Sequence, residues 1–148
     1  MNAGVLVPDE IIVGLVRYAV SSIGDARAVV FDGFPRTVAQ AESLDGFCPP
    51  SRVVLLVLDD AEVVRRISGR RIGPAGEPYH VLFNPPLPGV EVHQRPDDRE
   101  EVVRARLEVY HRETAPLEER YEHAGTLRRV DACGTIEEVF ERIVAALG

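Results

Sequence analysis

The apolar residues of the chain form short unbroken runs and longer periodic stretches. Val53–Leu58 is an unbroken run, typical of a strand buried on both faces of a sheet. Ala28–Phe31 is a shorter run followed by a Gly and a Pro, and it also predicts a buried strand. Leu127–Val130 predicts a short final strand. Fully apolar strands of this kind belong to open α/β sheets.

Stretches near both ends of the chain carry apolar residues at helical spacing. The first begins at Pro8, with Asp9 and Glu10 suited to the positive end of the helix dipole. The last begins with a capping box at residues 135–138. Both apolar stripes are predicted to face the core: Ile11, Ile12, Leu15, Val16, Ala19, Val20 and Ile23 in the first helix, and Ile136, Val139, Phe140, Ile143 and Leu147 in the last.

Two shorter helices are predicted between these. One follows Thr37, which forms a capping box with Gln40, and runs to about Leu44. The other is capped by Asp60 and carries four arginines, at positions 65, 66, 70 and 71. Because Arg66 and Arg70 are four residues apart, they share a helix face and repel each other, and a bound phosphate removes that penalty. An exposed Arg-rich turn is the alternative.

The stretch from Ile72 to Gln94 interrupts the helical pattern with repeated prolines and glycines, so it predicts an inserted flap. The predicted division is a core of residues 1–71 and 99–148 with an insertion at 72–98. A long helix then starts at Asp97 or Asp98 and is interrupted at residues 114–116 by a proline. Its apolar side carries Val102, Val103, Leu107 and Tyr110.

Composition narrows the functional classes. At 148 residues and 45% hydrophobic, the chain suits one globular domain. A net charge of −7 argues against a nucleic-acid partner held by general electrostatic attraction. All 17 basic residues are Arg, so phosphate contacts must use guanidinium or backbone groups. The two cysteines form no disulfide framework, which predicts a cytoplasmic location, and no apolar run is long enough to predict a membrane span.

The candidate chemistry begins at residues 32–37, directly after the predicted strand Ala28–Phe31. Ligands of open α/β sheets bind beyond the carboxyl ends of the strands, so Arg36 is predicted to lie at a ligand site. Gly33 permits a close backbone approach and Pro35 fixes the turn. A solvated loop charge is the alternative interpretation of Arg36.

The string DGFPRTxxQAExL at residues 32–44 resembles the nucleoside-monophosphate-binding signature of bacterial-type adenylate kinases. The resemblance extends to residues 4–10, 66–71, 79–86, 95–98 and 101–110, which is nearly the whole chain. It implies a P-loop-kinase-like fold with a three-layer parallel sheet and an inserted lid. The implied activity is reversible transfer of a phosphoryl group from ATP to AMP, giving two ADP, by a transferase of nucleotide biosynthesis.

The family's residues transfer position by position. The resemblance implies AMP binding by Val5, Leu6, Val7, Gly33, Phe34, Pro35, Arg36, Gln40, Arg95 and Arg106. It implies ATP binding by Arg66, Arg70, Tyr79 and Gly134. It implies a catalytic set of Arg36, Arg70, Arg95, Arg106 and Asp32, with Asp32 orienting hydrated Mg²⁺. The zinc-binding cysteines of some members are missing from this sequence, so no structural zinc is expected, and the expected state of a complete chain is a monomer.

The sequence differs from the family pattern most strongly at the phosphate loop. The family begins with a strand and a phosphate loop of the form GxPGxGKGT, which a sequence without Lys cannot contain. The expectation is a fragment, or a start placed at an internal Met, so that the sheet lacks its first, central strand. Two other functions stay open: a non-catalytic nucleotide-binding or protein-binding remnant, which the missing loop favours, and a UMP or CMP kinase, against which Gln40 and the YHVLFNPP stretch argue.

Overall fold

The computed structural model describes residues 8–24 and 28–148. In these ranges the helices are α1 (Asp9–Ser22), α2 (Val38–Asp45), α3 (Asp60–Ser68), α4 (Glu100–Val109), α5 (Pro116–His123) and α6 (Ile136–Leu147). The strands are β1 (Val53–Val57), β2 (Arg70–Ile72), β3 (Pro78–His80) and β4 (Leu127–Asp131). A short 3-10 turn covers Pro96–Asp98, and a π-helical turn covers Tyr110–Thr114.

The sheet that organises the core is parallel. β1 pairs with β4 from Val53 opposite Leu127 to Val57 opposite Asp131, so the carboxyl ends of both strands lie at one edge. The sequence predicted a strand in each of these stretches, the first from its apolar run, and both are confirmed. The result is a mixed α/β fold with a small parallel sheet, consistent with a P-loop-kinase-like architecture.

A second, smaller sheet lies in the predicted insertion. β2 and β3 pair in antiparallel orientation, with Arg70 opposite His80. The returning chain adds a bridge between Ile72 and His93, whose backbone N–H and C=O groups bond in both directions at 2.9 and 3.0 Å. The proline-rich stretch is therefore a small antiparallel ribbon. The domain boundaries at 71/72 and 98/99 stay a prediction.

The prediction of a strand at Ala28–Phe31 is wrong. These residues belong to no strand, and Val30 is 89% exposed. An extended segment forms a strand only when its N–H and C=O groups meet a partner, and among the described residues no strand pairs with it. The prediction that β1 is buried on both faces is also wrong, because Leu56 and Val57 are exposed.

The apolar stripes of the first and last helices were predicted to face the core, and this is also wrong. Neither α1 nor α6 has a buried residue; Leu15 is 62% exposed and Ile136 is 84% exposed. The periodicity formed the helices as expected, but the stripes are covered only in part: α1 lies against α2 and α6 against β4, which leaves Val16, Val20, Val139 and Ile143 half-buried. Ala41, Leu117 and Tyr121 form the buried core instead, with Val53 and Leu127 packed against them.

Three helix boundaries differ from the predictions. α3 is capped by Asp59, whose carboxylate accepts a hydrogen bond of 2.8 Å from the Ala61 N–H, and not by Asp60. It ends at Ser68, so Arg70 and Arg71 lie in β2. α4 begins at Glu100, because the 3-10 turn occupies residues 96–98. The predicted interruption before Pro116 and the capping box of α6 are confirmed.

None of the helices in ranges 8–24 and 28–148 combines the length and the hydropathy needed to cross a bilayer.

We predict that Phe140→Ala on the exposed face of α6 changes the free energy of unfolding by less than about 0.5 kcal/mol, since the ring is already in contact with water. Leu44→Ala, at a fully buried position on α2, should lower it by about 2–5 kcal/mol. Urea denaturation of both variants measures the difference. An equal loss for the two would show that the outer face of α6 is covered in solution.

Candidate functional site

The loop before α2 holds Arg36 against its own backbone. Gly33 adopts φ +70°, and Arg36 Nε donates a hydrogen bond of 2.7 Å to the Gly33 carbonyl. A Cβ at position 33 would stand 2.9 Å from Arg36 Nη2, and the positive φ is a further reason why only glycine fits. The side chain of Arg36 is therefore oriented before any ligand arrives.

The backbone of Arg36 is fixed from both sides. Its N–H donates to Gln40 Oε1 at 2.7 Å, and its carbonyl accepts a hydrogen bond of 2.8 Å from Thr114 Oγ1, on the π-helical turn. Among the described residues, no carboxylate forms an ion pair with the Arg36 guanidinium. Both Nη atoms of this exposed residue are thus available for an anion.

Gln40 was predicted to form a capping box with Thr37, and half of that box is present. Thr37 Oγ1 accepts the Gln40 N–H at 3.2 Å, whereas Gln40 Oε1 bonds to the N–H of Arg36 and not to that of Thr37. Gln40 is only 6% exposed, and its Nε2 donates to Asp9 Oδ1 at 2.7 Å. The amide that was predicted to contact the AMP base therefore lies in a connected polar network.

Three other arginines of the predicted site meet at the turn Pro96–Asp98. Arg70 forms a two-bond pair with Asp98, through Nε to Oδ2 at 2.8 Å and through Nη2 to Oδ1. Arg95 pairs with the Asp97 carboxylate at 3.0 Å, and Arg106 Nη1 lies 3.5 Å from the Asp97 carbonyl. The short turn thus brings together side chains that are far apart in the sequence.

Asp98 is fully buried, so its charge requires the Arg70 partner. The hydrogen bond to Asp98 is the largest effect on Arg70 and raises the pKa of its guanidinium above the ordinary value. Gln94 Nε2 donates to both the Ser68 carbonyl, at 2.8 Å, and the Asp98 carbonyl, at 3.1 Å. We call Arg70, Gln94 and Asp98 the clasp, because they join the two ends of the antiparallel ribbon.

The predicted placement of Arg66 and Arg70 on one helix face is wrong, because Arg70 lies beyond the end of α3; phosphate binding by these arginines stays a prediction. Each arginine has its own partner: Asp98 for Arg70, and Glu62 with the Ala132 carbonyl for Arg66, at 2.7 and 3.0 Å. The contact with Ala132 brings Arg66 to the loop after β4, where Gly134 adopts φ +105°. Two of the predicted ATP-binding residues are therefore neighbours.

The remaining predicted residues are placed as follows. Tyr79 lies in β3 opposite Arg71, with its hydroxyl 3.5 Å from Glu77 Oε1. Asp32 is exposed at the start of the Gly33 loop, and Phe34 and Pro35 are half-buried in it. The predicted AMP contacts Val5, Leu6 and Val7 lie outside the described residues. Within residues 8–24 and 28–148, His, Cys, Asp and Glu side chains form no group of three that could hold a metal.

The most evident recesses lie elsewhere. One, of about 240 Å³, is lined by residues 55–58 of the β1 end with Asp60, Tyr110 and His111. Another, of about 520 Å³, is formed near Pro49, Pro50 and Tyr121. None of the predicted site residues lines either of these two recesses.

A family model for adenylate kinase matches residues 1–126. The chain belongs to the adenylate kinase family. Among curated relatives, the adenylate kinase of Acidothermus cellulolyticus is 45% identical over 160 residues, covering 99% of this chain and 74% of the relative. The adenylate kinases of Methanothrix thermoacetophila and Geotalea daltonii are 40% and 39% identical, also over 99% of this chain and 74% and 75% of their own lengths.

The family motif identifies the arginines of the candidate site, but it does not identify the residues that orient their side chains. Asp98, Gln94, Asp9 and Thr114 orient the predicted side chains, yet none of these contacts was predicted from the sequence. The two adjacent aspartates after Arg95-Pro96 were a usable signal, because an acidic pair inside an Arg-rich segment invites ion pairing. The contact of Thr114 with Arg36 spans 78 positions and has no local signature.

Removing either partner of the Arg70–Asp98 pair should have unequal effects on stability. Arg70→Ala leaves a fully buried carboxylate without a partner and should lower the free energy of unfolding by about 3–5 kcal/mol. Asp98→Asn leaves a guanidinium that is 39% exposed and able to hydrate, so the loss should be about 1–3 kcal/mol.

Denaturant unfolding at constant pH and salt measures both losses. Arg104→Ala, which removes an exposed arginine from a pair with Glu100, serves as the control and should change the free energy of unfolding by less than about 1 kcal/mol. Equal losses for Arg70→Ala and Asp98→Asn would contradict the argument from burial.

Proposed function

We propose that Gly33–Arg36 and Gln40 bind AMP, and that they form the acceptor side of an enzyme that transfers a phosphoryl group from ATP to AMP, giving two ADP. The observation that carries this proposal is the Arg36 guanidinium, which is oriented by Gly33 yet has no acidic partner among the described residues. A planar guanidinium group with free N–H donors can form two parallel hydrogen bonds with phosphate oxygens. The neighbouring Gln40 amide offers a donor and an acceptor for the edge of a base.

The arginine cluster at Pro96–Asp98 would serve the transferring group. Phosphoryl transfer requires positioning and neutralisation of charge, not a covalent nucleophile. Arg70, Arg95 and Arg106 meet at one turn, and they would bridge the two nucleotides when the insertion at 72–98 closes as a lid. Arg66, Tyr79 and Gly134 would hold ATP; the contact of Arg66 with the Ala132 carbonyl supports this grouping.

Bound together with ATP, Mg²⁺ would supply positive charge that offsets the charge of the phosphates. Asp32 fits a water-mediated role, because its exposed carboxylate is a hard oxygen ligand at the start of the Arg36 loop. A single carboxylate suits an ion that keeps most of its waters and is held mainly by the nucleotide.

The incomplete sheet supports a further part of the proposal. Leu56 and Val57 at the end of β1 and Val30 in the extended segment are exposed apolar residues. By the family resemblance, a central strand that leads into a phosphate loop would lie between these segments, and the exposure of their apolar residues is in keeping with such a strand. These 148 residues contain no sequence for such a loop.

A non-catalytic nucleotide-binding function is the second candidate, and the composition favours it. A phosphate loop holds the donor phosphates with backbone amides and a Lys, and the sequence contains no Lys. Binding through Arg36 and Gln40 does not require that loop, whereas transfer does. For either function we expect a monomeric, cytoplasmic protein with no nucleic-acid partner; a UMP or CMP kinase would use the same arginines with a pyrimidine at Gln40.

We predict that Arg36→Ala weakens AMP binding by roughly 10- to 100-fold, which corresponds to the loss of a charged hydrogen-bonding group. Arg36→Lys should restore only part of the affinity, because one ammonium cannot reproduce the fork. Isothermal titration of AMP into the 148-residue chain measures the affinity.

Arg52→Ala provides the matched control, since Arg52 is exposed and lies before the opposite, amino end of β1. Its AMP affinity should equal that of the unsubstituted chain. An AMP affinity that is the same in Arg36→Ala and Arg52→Ala would remove Arg36 from the site.

We further predict that the 148-residue chain alone forms no ADP from ATP and AMP above background. Electrostatic positioning supplies most of the rate in phosphoryl transfer, and the donor phosphates have no Lys to hold them. A coupled assay for ADP with Mg²⁺ tests this expectation. Turnover approaching roughly 1–100 per second, the range for kinases, would show that another group in this chain grips the phosphates.

A further inference from the structure

Asp9 connects the amino ends of two helices through its carboxylate. From the first turn of α1, Oδ1 accepts Gln40 Nε2 at 2.7 Å and Oδ2 accepts Thr37 Oγ1 at 2.8 Å. Both partners belong to the start of α2, 28 and 31 positions further along the chain. The family resemblance assigned no role to Asp9, and an acidic residue in a first helical turn has an ordinary explanation in the helix dipole.

The network determines which way the Gln40 amide points. An ionised carboxylate only accepts hydrogen bonds, so the group facing Asp9 must be the NH₂. The opposite end of the amide faces the N–H of Arg36, which only donates, so that end must be the carbonyl oxygen. Rotating the amide by 180° would place acceptor against acceptor and donor against donor, and two hydrogen bonds would be lost together.

Each end of this fixed amide retains one hydrogen-bonding position. The NH₂ has a second proton and the carbonyl oxygen has a second lone pair. A 6-aminopurine presents an acceptor at N1 and a donor at N6. N1 can therefore accept the remaining proton of the Gln40 NH₂, and the N6 amino group can donate to the remaining lone pair of the Gln40 carbonyl oxygen. A 6-oxopurine presents a donor at N1 and an acceptor at O6, so it requires the amide in the reversed orientation.

We propose that Asp9 is a positioning residue that sets base specificity: by preventing reversal of the Gln40 amide, it makes the site select 6-aminopurine over 6-oxopurine monophosphates. The inference rests on the proposed binding of AMP at Gln40. It assigns the discrimination to a pair of residues, Gln40 as the contact and Asp9 as the group that orients it.

Asp9→Asn is the direct test. An asparagine at position 9 can offer either its NH₂ or its oxygen to Gln40, so only the N–H of Arg36 still favours one orientation of the amide, and the cost of reversing it falls from two hydrogen bonds to one. Titrations of AMP and of IMP, which differ at the purine 6-position, should show a clear preference for AMP in the unsubstituted chain. In Asp9→Asn the ratio of the two dissociation constants should move toward unity by roughly tenfold, the size of one lost hydrogen bond.

Glu10→Gln is the matched control. Glu10 also lies in the first turn of α1, so its substitution removes the same charge from the same helix end, but Glu10 is exposed and forms no bond with Gln40. The AMP-to-IMP ratio should be unchanged in this variant. An equal change in Glu10→Gln and Asp9→Asn would attribute the effect to helix charge and overturn the proposal.

A measurement on the unsubstituted chain covers the case in which Asp9→Asn does not fold. In ¹⁵N spectra, the Gln40 side-chain proton bound to Asp9 should exchange with water more slowly than its twin. Equal, rapid exchange of the two protons would overturn the proposal.

The possible failures are distinguishable. No AMP binding by the unsubstituted chain overturns both the proposed function and this inference. Arg36-dependent AMP binding with the same AMP-to-IMP ratio in Asp9→Asn as in the unsubstituted chain overturns this inference alone.

Discussion

The structure of the candidate site depends on one buried charge. The carboxylate of Asp98 is completely removed from solvent, and an isolated carboxylate in that position would be strongly destabilising. Arg70 compensates it with two hydrogen bonds, and Gln94 satisfies the Asp98 carbonyl. Because these partners come from both ends of the antiparallel ribbon, the need to pair one charge also determines where the ribbon joins the core and where three arginines meet.

The loop around Arg36 is also fixed by hydrogen bonds, although these are individually weaker than the Arg70–Asp98 pair. Arg36 is held at its N–H, its carbonyl and its Nε by Gln40, Thr114 and Gly33, while its outer guanidinium nitrogens stay available. Groups oriented in advance spend less free energy on ordering when a ligand binds. The Arg36 loop therefore presents donors that are oriented in advance, whereas at the turn Pro96–Asp98 the charges of Arg70 and Arg95 are already paired with Asp98 and Asp97.

Sequence reasoning succeeded where structure is local. The apolar run of β1, the capping box of α6 and the interruption before Pro116 depend on residues within a few positions of one another. It failed where the outcome depends on distant neighbours: Ala28–Phe31 has the composition of a strand but pairs with no strand among the described residues, and the stripes of α1 and α6 are covered only in part, by α2 and by β4. In the site, the arginines followed from a motif, whereas Asp9 and Asp98 act through contacts about 30 positions away in sequence, which no local pattern encodes.

The clasp has a consequence for how this fold tolerates changes in length. A single amide group of Gln94 bonds to carbonyls on both sides of the ribbon, so the chain leaves the core and returns to it at nearly the same point. The entropic cost of closing a loop rises only slowly with its length when the ends are already held together. We therefore expect the sequence between Ile72 and His93 to tolerate shortening, lengthening or replacement by an unrelated hairpin, provided that Arg70, Gln94 and Asp98 keep their contacts.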